Sequence, residues 1–302
     1  MADVRPQVLL LLFHIDYVVK RLWLDLRIQC TTRLGMIRKT FLTIFTSAFL
    51  LAAPAFSQAT EVDLELVLLV DVSRSMTERE LEIQRQGYAA ALQSDEVFAA
   101  VQSGLLQRIA LTYIEWAGMQ EVVVDWRLVE TRADLEGFAR VLTTRFDPAL
   151  RRTSISEALI FGAAMIEENK FQGLRKVIDV SGDGPNNQGR PVLRARETVL
   201  SKSITINGLP LMTNEGLGSQ WHLDDLDVYY ENCVTGGPGS FVIPVLDWQD
   251  FAEAVRRKLV LEIASRLALE HVMSTQYTPT KAYDCLIGEK IWERNQQIWS
   301  EP

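Results

Sequence analysis

The segment LVLLVDVSRSM, Leu66 to Met76, runs from apolar residues straight into three oxygen-bearing side chains: Asp71, Ser73 and Ser75. Their alternation turns them to one side of an extended loop. Two more segments carry the same type of donor. RRTSISEAL places Thr153 just before a helical pattern, and VIDVSGDGPNN places Asp183 just after a short apolar run. Two carboxylates and three hydroxyls are hard oxygen donors. A roughly octahedral set of that kind suits Mg²⁺, which usually keeps positions for water or a ligand. Mn²⁺ and Ca²⁺ draw on the same donor types.

These donors need elements to bring them together, and the periodicity supplies them. Glu65–Val70 is a continuous apolar run, the pattern of a strand buried on both faces. Thr77–Gln93 has helical spacing, with Thr77 and Glu80 placed as a capping box. Arg108–Trp116 and Glu121–Val129 read as strands joined by a turn at Gly118. Arg132–Thr144 and Ser154–Glu168 read as helices, Lys176–Val180 as a strand, Val192–Lys202 as a helix and Ile204–Leu209 as a strand. Asp224–Asn232 suggests a short helix, Phe241–Val245 a last strand and Asp247–Ala264 an amphipathic helix. Ser265–Pro302 reads as a less regular tail. Alternating strands and helices with one hairpin predict an α/β fold: a doubly wound, mostly parallel sheet with one antiparallel edge strand. Ligands bind such sheets at the carboxyl ends of the strands, where all three donor segments fall.

The segments LLVDVSRSM, RRTSISEAL and VSGDGPNN resemble the three loops of von Willebrand factor type A (VWA) domains, over roughly Glu61 to Ala264. YYENCVTGGPGSFV and RRKLVLEIA further resemble an uncharacterised group of exported bacterial VWA-like proteins. The resemblance implies a metal-ion-dependent adhesion site built from Asp71, Ser73, Ser75, Thr153 and Asp183, completed by a carboxylate from a protein partner. It also implies that sliding of the helix at Asp247–Ala264 couples to that site. This chain departs from the VWA pattern twice. Arg151 and Arg152 stand where Gly is frequent, and Ser181-Gly182-Asp183-Gly184 stands where Thr-Asp-Gly is usual.

Residues 36–59 have the three parts of a secretory signal peptide: basic Arg38 and Lys39, an apolar run from Phe41 to Ala53, and small-x-small sites ending at Ala55 and Ala59. The expected organisation is therefore an N-terminal extension, 1–35, that reads as a mispredicted start, then the signal peptide, a VWA-like domain over 60–264, and a tail over 265–302 packed on it. The expected location is periplasmic or secreted, with no stable membrane anchor after cleavage. Of three cysteines, Cys233 and Cys285 remain after cleavage. An oxidising compartment favours a disulfide between them, against two free buried thiols.

The chain has 302 residues, 48% hydrophobic, with formal net charge −8. No Lys/Arg-rich run marks a nucleic-acid surface. Other chemistries fit less well. A phospho-acceptor role for Asp71 calls for a second carboxylate where Ser73 stands. A serine hydrolase needs a base, and past residue 59 only His222 and His271 are available, with no Gly-x-Ser-x-Gly elbow. Gly236, Gly237 and Gly239 precede a strand pattern, whereas phosphate loops precede a helix. Trp221, Tyr229 and Tyr230 are aromatics for packing or for the rim of a binding face. The expectation is a non-enzymatic binding module. A metal-dependent hydrolase and a structural envelope module with a vestigial site are the alternatives.

Overall fold

The computed structural model describes residues 59–144, 152–213, 222–264 and 283–300. The chain divides into two compact units, Met1–Gln58 and Ala59–Pro302, and the described residues lie in the second. Residues 36–58 of the segment read as a signal peptide, Arg151, Trp221, His271 and most of the segment after Ala264 fall outside the described residues.

Five strands form one sheet in the order β3-β2-β1-β4-β5. They are β1 (Thr60–Asp71), β2 (Ile109–Trp116), β3 (Gln120–Val129), β4 (Phe171–Gly182) and β5 (Thr205–Pro210). Every neighbouring pair is parallel except β2 with β3, the hairpin expected at one edge. β1 is buried along almost its whole length because helices cover both faces. Its side chains alternate between two cores. Leu64, Leu66, Leu68 and Val70 enter one with α1 (Glu78–Leu92), α2 (Asp95–Gln102), α3 (Arg132–Thr144) and α7 (Phe251–Ala264). Val67 and Leu69 enter the other with α4 (Ile155–Glu168), α5 (Val192–Leu200) and the segment around Tyr229 and Cys233. Each such side chain contributes about 1.5–3 kcal/mol by leaving water.

The chain leaves β1 towards β2 and later returns to β4 on β1's other side. The carboxyl ends of β1 and β4 therefore form the switch point of the sheet, where a ligand crevice opens. α1 begins just beyond it with the expected capping box: the Glu80 amide donates to Thr77, and the Thr77 amide donates to the Glu80 carboxylate at 2.6 Å.

Three expectations change. Phe241–Val245 is not a regular strand. It runs beside β5 through isolated bridges, Gly208 to Val242 and Leu211 to Val245. Pro210 of β5 has no N–H to donate to the Ile243 carbonyl, and that interrupts the ladder between the two bridges. The expected helix at Asp224–Asn232 is a single turn, α6 (Leu226–Tyr229), passing into a π-helical turn at Tyr230–Val234. The tail is not irregular throughout: α8 (Ile287–Ser300) is a helix of fourteen residues. Among the described residues, no helix is long and apolar enough to cross a membrane.

Candidate metal site

Asp71 is the last residue of β1 and is fully buried. Its Oδ1 accepts from the Ser73 amide at 2.7 Å, and its main-chain carbonyl accepts from Gln84 Nε2 at 2.8 Å. Both bonds fix the turn that carries the two serines. Ser73 Oγ lies 2.9 Å from Ser75 Oγ. Ser75, Thr153 and Asp183 then line one small cavity, with His222 beside them. The donors that were separate in sequence thus form one continuous set.

The other two loops are held as firmly. The Thr153 amide donates to Asn187 Oδ1 at 3.2 Å, and the Asn187 amide donates to the Thr153 carbonyl at 3.0 Å. Asn186 receives the Ser156 amide on its side-chain oxygen at 3.0 Å. The Gly-Asp-Gly-Pro-Asn-Asn loop and the start of α4 are therefore clamped to each other. Gly182 is required by space: a Cβ there would lie 2.8 Å from Asp71 Oδ2 and 2.9 Å from Tyr230 Oη.

The electrostatics are those of a site built for positive charge. Burial, and then the charge of Asp183, push the Asp71 carboxyl well above the usual range, against the Ser73 hydrogen bonds. The Asp183 amide also favours the Asp71 anion, yet Oδ2 has no hydrogen-bond partner among the described residues. Burial likewise raises Asp183, opposed by the Ser75 hydroxyl and the His222 side chain. A buried carboxylate with one oxygen lacking a well-formed hydrogen bond, beside a second carboxylate, is costly without a cation. The donor set fits a hard divalent ion. Asp71, Ser73, Ser75, Thr153 and Asp183 would hold it, and the ion would supply a charged anchor for an incoming carboxylate. Among the described residues no group of three or more His, Cys, Asp or Glu side chains is arranged for a metal. Hydroxyls supply the rest of the oxygen set here.

A family model described as "Protein of unknown function (DUF1194)" matches residues 61–267. The chain belongs to that family. No curated protein sequence matches it. Among solved structures, the pilus adhesin SpaC from Lactobacillus rhamnosus GG, in its open conformation, is 11% identical with a TM-score of 0.51. The match covers 67% of this chain and 30% of the adhesin. Proximal thread matrix protein 1 from the mussel byssus is 13% identical with a TM-score of 0.48, over 68% of this chain and 49% of that one. A von Willebrand factor type A protein from Catenulispora acidiphila is 15% identical with a TM-score of 0.45, over 67% and 43%. The chain spans half or less of these structures. The adhesin match shows a shared fold and nothing further. With the sheet order and the loop segments, this DUF1194 chain is VWA-like in fold.

Several residues at the site escaped the sequence reading. His222 entered it only as a would-be base, yet it lines the cavity with Asp183. Tyr230, named there for packing or a binding rim, takes the packing role: it is fully buried, and its hydroxyl has no hydrogen-bond partner among the described residues. Gly288 and Ile291 of α8 line the same cavity. Cys285 is bonded to Cys233, as the compartment argument expected, with Cα atoms 5.5 Å apart.

Proposed function

We propose that this protein is an exported binding module that engages a protein partner through a divalent cation, Mg²⁺ in the first instance, held by Asp71, Ser73, Ser75, Thr153 and Asp183. The partner contributes a carboxylate. The observation that carries this is the fully buried Asp71 carboxylate, with Oδ2 unpartnered, beside Asp183. That pair is costly as an empty structural feature and sensible as a cation seat.

Residues 36–59 direct export, and the module begins near Thr60 in the periplasm or outside the cell. The disulfide agrees with an oxidising compartment. Binding, not turnover, is the proposed role, because two carboxylates and three hydroxyls are hard oxygen donors suited to anchoring a cation and, through it, a partner's charge. The hydrolase reading keeps one supporting observation, an imidazole at the cavity: His222 beside Asp183. A turnover assay with ester, amide and phosphoester substrates separates it.

The test of the binding reading is capture from envelope extract on immobilised protein, with Mg²⁺ or with chelator. Bands retained only with Mg²⁺, and lost with Asp71→Ala, support it. Retention indifferent to metal contradicts it.

A further inference from the structure

The helix α8 was invisible as a functional element in the sequence, and its place in the fold is specific. Gly288 and Ile291 line the cavity that also holds Ser75, Thr153 and Asp183. The cavity measures about 20 Å³, room for roughly one water. A side chain from a folded partner cannot enter that space while α8 is seated.

Three independent contacts hold the helix there. Asn186 Nδ2 donates to Glu289 Oε1 at 2.8 Å, so α8 is bonded to the loop that carries Asp183. Gly288 packs its backbone directly on that loop: a Cβ would fall 2.1 Å from the Asn186 carbonyl oxygen. Arg152, next to Thr153, stacks its guanidinium over the Trp292 ring at 4.6 Å. Arg152 does so with φ +74°, the left-handed region that disfavours a side chain. A glycine would relieve that backbone but would leave Trp292 without its cation. Immediately before α8, Cys285 is tied to Cys233 in the buried π-helical turn.

We propose that α8 is an intramolecular cover on the metal face, seated by Gly288 on the Asn186 carbonyl and tethered by the Cys233–Cys285 bond, so that an acidic partner engages only once the helix has lifted. The proposal rests on the metal-site reading above. It adds that the site has a covered state, and that the tether sets how readily it opens. Reduction by a dithiol, which is oxidised to its own disulfide as the protein bond becomes two thiols, releases the tether.

The test uses Mn²⁺ as the probe. Its binding is followed by electron paramagnetic resonance, and the access of solvent to bound Mn²⁺ by water-proton relaxation. Three samples are compared: the oxidised protein, the same protein reduced with dithiothreitol, and Gly288→Ala. The alanine wedges the helix off its seat without touching a proposed ligand. Reduction keeps the native sequence, so a folding defect in the variant leaves the test intact. The expected result is low relaxation per bound Mn²⁺ in the oxidised protein and a rise of about twofold or more when α8 is unseated. Apparent Mn²⁺ affinity rises up to roughly tenfold if the open fraction climbs from about a tenth to nearly all. Equal relaxation and affinity in all three samples overturns the cover and leaves the metal site standing. No Mn²⁺ binding in any sample overturns both.

Discussion

Arg152, the neighbour of Thr153, and Trp292 of α8 meet, with the guanidinium carbon 4.6 Å from the ring centroid. The contact joins the loop before α4 to the terminal helix. It explains why a chain with a left-handed backbone at residue 152 carries arginine there. The left-handed conformation costs a side chain roughly 1–2 kcal/mol, and a cation over an indole returns about 0.5–1 kcal/mol or more when desolvated.

Arg152→Gly should therefore be close to neutral in global stability, within about 1 kcal/mol, while loosening α8. Hydrogen exchange by mass spectrometry checks this. Exchange should accelerate over residues 287–300 and stay unchanged in β1 and β4. Uniform acceleration would mean that the arginine supports the whole fold instead.

Much of this architecture is legible in the sequence because the apolar runs of β1 and β4 and the helical spacing of α1, α3 and α4 are strong signals. The donor set is legible because each of its loops follows a strand or precedes a helix. The cover is not. Ile287, Ile291 and Trp292 have helical spacing, but only the fold shows Gly288 and Glu289 seated against the loop at Asn186. Phe241–Val245 looked like a strand from its apolar content, and the missing N–H of Pro210 on the neighbouring strand decided otherwise. The role of Tyr230 hidden beside Gly182 depends on a tertiary approach that no local pattern encodes.

A buried charge cluster predicts the consequence of one substitution. Lys258 of α7 lies 2.5 Å from Asp179 of β4 and bonds Glu262, and all three are almost wholly buried. Asn207 Nδ2 also donates to Glu262, at 2.9 Å. Lys258→Met leaves two buried carboxylates without a counter-charge and should cost about 3–5 kcal/mol. Urea unfolding measures it. A loss below about 1 kcal/mol would show that the cluster is protonated or hydrated enough to do without the lysine.

The same cluster gives a pH dependence. Burial, followed by the charge of Glu262, raises Asp179 to about 7 despite Lys258. In the range between its unfolded value near 4 and about 7, the folded protein holds a proton that the unfolded chain has released. The contribution of Asp179 to stability therefore falls as pH rises through that window, and is level above it. Asp179→Asn should remove that fall. Unfolding free energies of both proteins at about pH 5 and about pH 8 decide it: the difference between wild type and variant must shift against the wild type at the higher pH. A constant difference contradicts the raised value.

Metal-free Asp71→Asn should melt no lower than the wild type. The amide removes a buried charge facing Asp183 and keeps an oxygen for the Ser73 amide. It should also abolish any response to Mg²⁺. Differential scanning calorimetry with chelator, then with Mg²⁺, reads both effects on one sample. A large drop in the metal-free melting temperature would mean that the Asp71 anion is held by the fold itself.

The central claim is that this donor set binds a divalent cation, and the most direct test is isothermal titration of Mg²⁺ into the purified protein, paired with its melting temperature. A ligand that binds only the folded state adds about 2.7 kcal/mol at 100 times its Kd, which raises the melting temperature of a domain this size by about 5–10 °C. The account predicts a one-site isotherm and a shift of that order, both absent in Asp71→Asn. A flat titration with an unchanged melting temperature would contradict it.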